Sequence, residues 1–213
     1  MKKIISFLVV AMFAITASAQ ITWNAKAGFG ISSCLYSDGD NEDGKTHFVG
    51  KLGVGMEYPL TSNFSLMPSA EFALKGAKWG YKDDSFKYDE TIDIYYFQIP
   101  VLGAYRFNLT DRLNLVAKAG PYFAFGFAGK AKFSESYSEG SFSDNYSGSE
   151  NLFKNGGKRF EVGLDFGVDL EFKRFVVGAE YEFGLTPLFK EEDKGDSWSV
   201  KNSAIYVTVG YKF

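Results

Sequence analysis

The groups that could do chemistry in this sequence fall into three sets. The first is the lone imidazole, His47, at the end of an acidic loop. A serine hydrolase would need a hydroxyl and an acid converging on that ring, and Ser32 and Ser33 are the candidates for the hydroxyl. No further feature supports such a triad, and a solvated histidine is the simpler reading. The second set is the loop acids Asp38, Asp40, Glu42 and Asp43, which suggest a calcium loop. They lack the EF-hand spacing with its glutamate at the twelfth position, so a hydrated loop accounts for them better. The third set is the largest. Lys26, Lys51, Lys75, Arg106, Lys118, Arg159 and Lys212 stand against Glu57, Glu71, Glu161, Asp165, Asp169, Glu171, Glu180 and Glu182, each at alternate positions of an apolar stretch. Phosphate loops, zinc spacings and dinucleotide fingerprints are absent from the sequence. The expectation is therefore a protein that is not an enzyme, with no catalytic residue, no cofactor and no metal ligand.

The elements that must carry the third set explain it. From Phe160, the residues Val162, Leu164, Phe166, Val168, Leu170 and Phe172 occupy every second position. Between them lie Glu161, Gly163, Asp165, Gly167, Asp169 and Glu171. After the turn Lys173-Arg174 the pattern restarts, with Phe175, Val177, Ala179, Tyr181 and Phe183 against Val176, Gly178, Glu180, Glu182 and Gly184. Side chains alternate faces on a strand, so this hairpin has one apolar wall and one wall of acids and glycines.

The pattern recurs along the chain. It predicts strands over Trp23–Leu35, Phe48–Tyr58, Phe64 to about Lys75, Ile94–Phe107 and Leu113–Phe127, then the hairpin, then about Val200–Phe213. Pro68 is a blemish in the third strand, because proline cannot donate to a ladder. The connections alternate in length. Residues 36–47, 76–93, 128–157 and 187–199 are long, and 59–63, 108–112 and 173–174 are short. That alternation fits long extracellular loops and short periplasmic turns, with both termini in the periplasm.

A soluble eight-stranded barrel with its apolar face inward is the rival, and volume decides against it. An eight-stranded barrel encloses little more than its own interior side chains. The apolar face carries bulky Phe, Leu, Val and Tyr, whereas the other carries Gly28, Gly30, Gly53, Gly55, Gly120, Gly163, Gly167, Gly178 and Gly210 with charges between. The small, ionised face packs inside and lipid solvates the bulky one. The fold class is thus an all-β, eight-stranded antiparallel up-and-down transmembrane β-barrel in the bacterial outer membrane. Its inward ions must be paired or hydrated, which predicts a roughly balanced salt-bridge network. That network reads as structural filling more readily than as a proton or ion path, because the lumen is too narrow for an open channel. Trp23, Tyr58, Phe64, Tyr105, Phe107, Phe172, Phe175, Tyr211 and Phe213 cluster at the periplasmic strand ends, where an interface belt needs them.

The chain begins Met1-Lys2-Lys3, runs through the apolar stretch Ile4–Ile15 and reaches Ala17-Ser18-Ala19. This reads as a cleaved signal peptide over residues 1–19, cut between Ala19 and Gln20, leaving the barrel domain over 20–213. The apolar run is shorter than the ~20 residues of a spanning helix. Removing Lys2 and Lys3 takes the net charge from −3 to −5, and this acidity argues against a nucleic-acid partner. Cys34 is the single cysteine, so no internal disulfide is available, and it falls at an inward position as a small buried residue.

Tyr96-Phe97-Gln98-Ile99-Pro100-Val101-Leu102-Gly103-Ala104-Tyr105, Ala119-Gly120-Pro121-Tyr122 and Phe166-Gly167-Val168-Asp169-Leu170-Glu171 resemble successive strands of an outer-membrane β-barrel family common in Bacteroidetes, which includes PorT-like proteins. Gln98 departs from the family, where glutamate is more usual. A terminal strand ending in Phe213 is similar to the signal by which barrel-assembly machinery recognises its substrates. The resemblance implies an outer-membrane protein, mostly of unassigned role; the expectation drawn here is a barrel with a closed interior, surrounded by outer-membrane lipid, that acts through its extracellular loops in interaction or envelope integrity. A role in a protein secretion machinery is the alternative it allows, and a lipid- or peptide-modifying enzyme is the remaining one. The stretch Glu135–Glu150 could bind cations or a protein partner through Tyr137, Phe142 and Tyr146, but a flexible, hydrated surface loop accounts for it better.

Overall fold

Backbone groups inside a bilayer have no water to bind, so an extended chain must pair every edge. The computed structural model describes residues 21–36, 44–45, 47–83, 86–139, 142–154, 156–192 and 197–213. The signal-peptide and cleavage-site expectations at 1–20 and the acids at 38–43 lie outside them. The described strands are β1 (Thr22–Tyr36), β2 (Gly44–Lys45), β3 (His47–Pro59), β4 (Phe64–Lys82), β5 (Phe86–Thr110), β6 (Leu113–Glu139), β7 (Phe142–Asn151), β8 (Phe160–Phe172), β9 (Phe175–Gly184), β10 (Phe189–Glu192) and β11 (Ser197–Lys212).

Eight of them build the wall in the order β1-β3-β4-β5-β6-β8-β9-β11, each antiparallel to the next. β11 pairs back onto β1, from Asn24↔Lys212 to Tyr36↔Val200, and closes the ring. Closure removes the sheet edge that would otherwise face lipid. The turn between β8 and β9 is two residues long, and Lys173 takes the left-handed conformation there (φ 55°), as tight hairpin turns require.

The two faces separate as the alternation predicts. Phe29, Leu52, Phe72, Phe97, Phe123, Phe166, Val168 and Val207 point out and stay exposed, while Lys51, Glu71, Gln98, Asp165, Glu180 and Thr208 are buried inside. Aromatics line the periplasmic rim in contact, with Tyr105 on Phe107 at 4.8 Å and Phe175 on Tyr211 at 5.3 Å between ring centres. Close approach explains one glycine clearly. A Cβ at Gly30 would lie 1.8 Å from the Ile205 carbonyl oxygen of β11, so only glycine fits at that point of the seam.

The strands run further than the sequence pattern predicts. Residues 76–93 and 128–157 are largely β-structure: β4 and β5 stay paired up to Lys82↔Lys87, and β6 continues to Glu139. A bulge permits this. Tyr95 opposes Ala128 and Tyr96 opposes Gly126, leaving Phe127 as an extra residue in β6. One extra residue flips the faces beyond it, so Phe125 and Phe127 face out but Gly129 turns inward and is buried. A spanning strand needs roughly 9–11 residues, and β5 and β6 have 25 and 27. Their upper halves, with β4, β7 and β2, form a sheet standing above the membrane on one side of the barrel. The ladder between β4 and β5 is interrupted from Pro68↔Val101 to Glu71↔Gln98, next to the missing donors of Pro68 and Pro100.

Candidate functional site

Inward positions on the eight strands stack their side chains in three tiers. The periplasmic tier joins β3, β5, β8 and β11. Arg106 reaches Glu57 at 2.5 Å and Glu171 at 3.1 Å. Lys212 reaches Glu57 at 2.7 Å and also pairs with Glu171. Ser65 donates to Glu57 at 2.9 Å. Two carboxylates meet two cations, and the tier is neutral.

The middle tier is denser. Lys26 contacts Glu71 at 2.7 Å and Glu180 at 3.2 Å. Lys51 contacts Glu182 at 2.8 Å, pairs with Glu180, and lies 4.6 Å over the Tyr206 ring. Lys75 contacts Glu182 at 2.7 Å and Glu161 at 3.0 Å, with the Tyr122 ring centre 4.0 Å away. Lys118 bridges Asp169 and Glu180, both at 2.6 Å. Gln98 donates to Glu182 at 2.9 Å and to Glu71 at 3.1 Å. A carboxylate at position 98 would face both of those acids and could not donate to either, so the amide suits this lumen. Ion pairs this deeply buried fix register more surely than they add stability, since desolvation offsets much of the attraction.

The third tier is apolar. Ile92, Ile94, Tyr96, Tyr122, Ala124, Leu152 and Leu188 form a buried cluster, with Trp79, Phe153 and Phe189 packed against it. Leu152 and Leu188 come from the connections after β7 and β9, so the extracellular mouth is stoppered by loop residues. Their apolar spacing in the loop sequences was the only signal of this plug, and it is too short to be read as an element.

Arg159 is the interior residue that the structure corrects. It is exposed at the extracellular rim, where its guanidinium donates to the Gly126 carbonyl at 3.0 Å and lies 4.2 Å over the Phe153 ring. Phe153 already occupies the space beside Gly126 and Gly129, so the arginine is displaced upward. With it at the rim the acids exceed the cations by two: the middle tier sets Glu71, Glu161, Asp165, Asp169, Glu180 and Glu182 against Lys26, Lys51, Lys75 and Lys118 among the described residues.

The residues weighed for hydrolysis are placed otherwise. Ser32 donates to the Gly76 carbonyl at 2.6 Å and accepts from the Gly76 N–H at 3.1 Å, so its hydroxyl is held by backbone. His47 Nε2 lies 2.9 Å from Asp93, which also holds Lys132 at 2.7 Å. Cys34 is buried, with its sulfur 3.7 Å from Asn202 Oδ1. On the extracellular sheet, Tyr146 is exposed and stacks on Phe133 at 5.9 Å. Beside it lies an open bowl of about 550 Å³, lined by Asp89, Thr91, Lys132, Ser147 and Ser149.

A closed ring of strands, an apolar outer wall and an ionised, stoppered lumen define an integral β-barrel of the bacterial outer membrane. The chain belongs to the outer membrane protein beta-barrel domain family, whose model matches residues 14–190. No curated protein matches the sequence. Among solved structures it is similar to Ail, the attachment invasion locus protein of Yersinia pestis, at 19% identity, covering 90% of this chain and 98% of that one with a TM-score of 0.39. It is also similar to Neisserial surface protein A, at 13% identity, 91% and 99% coverage and a TM-score of 0.40. A third is a major outer membrane protein from Thermus thermophilus, at 13% identity, 91% and 99% coverage and a TM-score of 0.45.

Proposed function

We propose that this barrel acts without catalysis, through its extracellular sheet, as an interaction or envelope-integrity protein. The observation that carries the reading is the extension of β4–β7 above the membrane, with Tyr146 exposed on it, over a lumen stoppered by Leu152 and Leu188. A strand needs no such length to span a bilayer, so the added sheet serves something outside. Tyrosine with serine and glycine around it is the composition of adaptable binding surfaces. Phe213 serves the barrel-assembly machinery, and outer-membrane lipid covers the apolar wall. The resemblance over Tyr96–Tyr105 supports the finer placement among PorT-like proteins of Bacteroidetes, and with it a secretion partner for the sheet.

The test removes the sheet and keeps the barrel. Residues 133–148 are replaced by a two-residue turn, and assembly is checked by the mobility shift between boiled and unboiled protein. Cells carrying the trimmed barrel should be as sensitive to detergent and large antibiotics as cells lacking the protein. Full rescue by the trimmed barrel would place the function in the wall or the lumen instead.

A further inference from the structure

We propose that Asp165, Glu180 and Glu182 bind one hard divalent cation inside the barrel. The three side chains come together through register. Asp165 on β8 is paired directly with Glu182 on β9, and Glu180 follows two residues along on the same inward face. One oxygen from each lies within 4.8 Å of the others. Calcium holds oxygens at about 2.3–2.6 Å, so ligands around one ion stand up to roughly 5 Å apart. The spacing fits.

Two like charges directly opposite on a sheet repel, and here there is no bulk water to screen them, because all three residues are buried. Glu180 and Glu182 have lysine partners, but Asp165 has none among the described residues. Neither of its oxygens meets a protein hydrogen-bond donor. The lysines that act on it are engaged elsewhere: Lys51 is held by Glu180 and Glu182, and Lys26 by Glu71 and Glu180. A fully buried, unpartnered carboxylate aimed at two others is unstable as an anion unless a counter-charge joins it.

The charge balance gives the size of that counter-charge. The periplasmic tier is neutral. The middle tier has six carboxylates and four lysines among the described residues, an excess of two negative charges. One divalent ion cancels it. The lysines do not bar the ion, because each carboxylate offers two oxygens and about four lone-pair directions. Glu182 already holds Lys51 on one oxygen and Lys75 on the other, so the ion would share those oxygens with the lysines through their remaining lone pairs.

The experiment uses the full barrel in detergent, stripped with chelator and titrated with Mn²⁺ followed by electron paramagnetic resonance. Calcium competition and the unfolding midpoint, read from gel mobility, are measured in parallel. One Mn²⁺ per chain is expected, displaced by Ca²⁺, with a saturable rise in the midpoint. Asp165→Asn should weaken binding by more than about tenfold while the unboiled form still migrates as folded protein, and Glu182→Gln should do the same. A chain with Asp38, Asp40, Glu42 and Asp43 all changed to their uncharged amides should bind as before. Absence of bound Mn²⁺ in the unmodified barrel would overturn the proposal and assign the missing charge to protons. Loss of binding in the loop variant, with retention in Asp165→Asn, would overturn it equally and move the site to the surface.

Discussion

Lys51→Met is the sharpest probe of the lumen. The Lys51 ammonium lies within 2.8 Å of Glu182 and 3.7 Å of Glu71, pairs with Glu180, and is shielded by the Tyr206 ring. Methionine keeps most of the stem volume, so little cavity forms and the change is mainly electrostatic. Three buried carboxylates would lose a shared cation. Removing one partner of a buried pair costs about 3–5 kcal/mol, which is roughly a hundredfold to several thousandfold in the folding equilibrium. Urea unfolding in lipid vesicles, followed by the mobility difference between folded and unfolded forms, reads this directly. Adding Glu182→Gln should return part of the loss, because Lys75 and Glu161 still satisfy each other at 3.0 Å. Adjacent charges of this kind couple by about 0.5–3 kcal/mol. A loss under ~1 kcal/mol for Lys51→Met would refute the argument, since it would mean that water screens the lumen as it does a surface pair.

Other perturbations test the wall, the seam and the stopper. Val168 is half exposed near the middle of β8, so Val168→Arg should lose about 2–4 kcal/mol in vesicle refolding, the cost of a cation facing the bilayer midplane; a neutral result would deny that this face meets lipid. Gly30→Ala drives a methyl against the Ile205 carbonyl and should cost about 1–3 kcal/mol by urea titration, the usual penalty for overpacking. Leu188→Ala in the apolar plug should cost about 2–5 kcal/mol and admit proteases to the β9–β11 connection in intact cells. Arg159→Ala should change stability by less than ~1 kcal/mol, because its contacts lie at the exposed rim.

The lumen is asymmetric in a way that bears on any use of the barrel. Its inner end is closed by paired ions that water can reach, and its outer end by apolar side chains that water cannot wet. A solute entering from the periplasm would meet Arg106 and Lys212 first and the plug of Ile94, Tyr122 and Leu188 last.

What the sequence determined by itself was everything that depends on the two-residue period. Asp165, Glu180 and Glu182 read as inward, and Phe166, Val168 and Val177 as outward, because alternation is local and each strand carries its own record of it. The order of short and long connections likewise set the up-and-down arrangement. Tertiary structure decided what depends on register between strands. Lys51 finds Glu182 across 131 residues, and Lys75 finds Glu161 across 86; each pair meets across the lumen between strands that are not neighbours in the sheet, so composition leaves the choice of partner open. The Phe127 bulge, invisible as a pattern because it changes phase only once, carries β6 out of the membrane and turns its inward face over. Arg159 has the inward phase, yet Phe153 fills that space first and sends it to the rim. With that cation at the rim the excess of mid-barrel acids is two rather than one, because the balance of a closed lumen depends on which side chains fit inside it as well as on which point toward it.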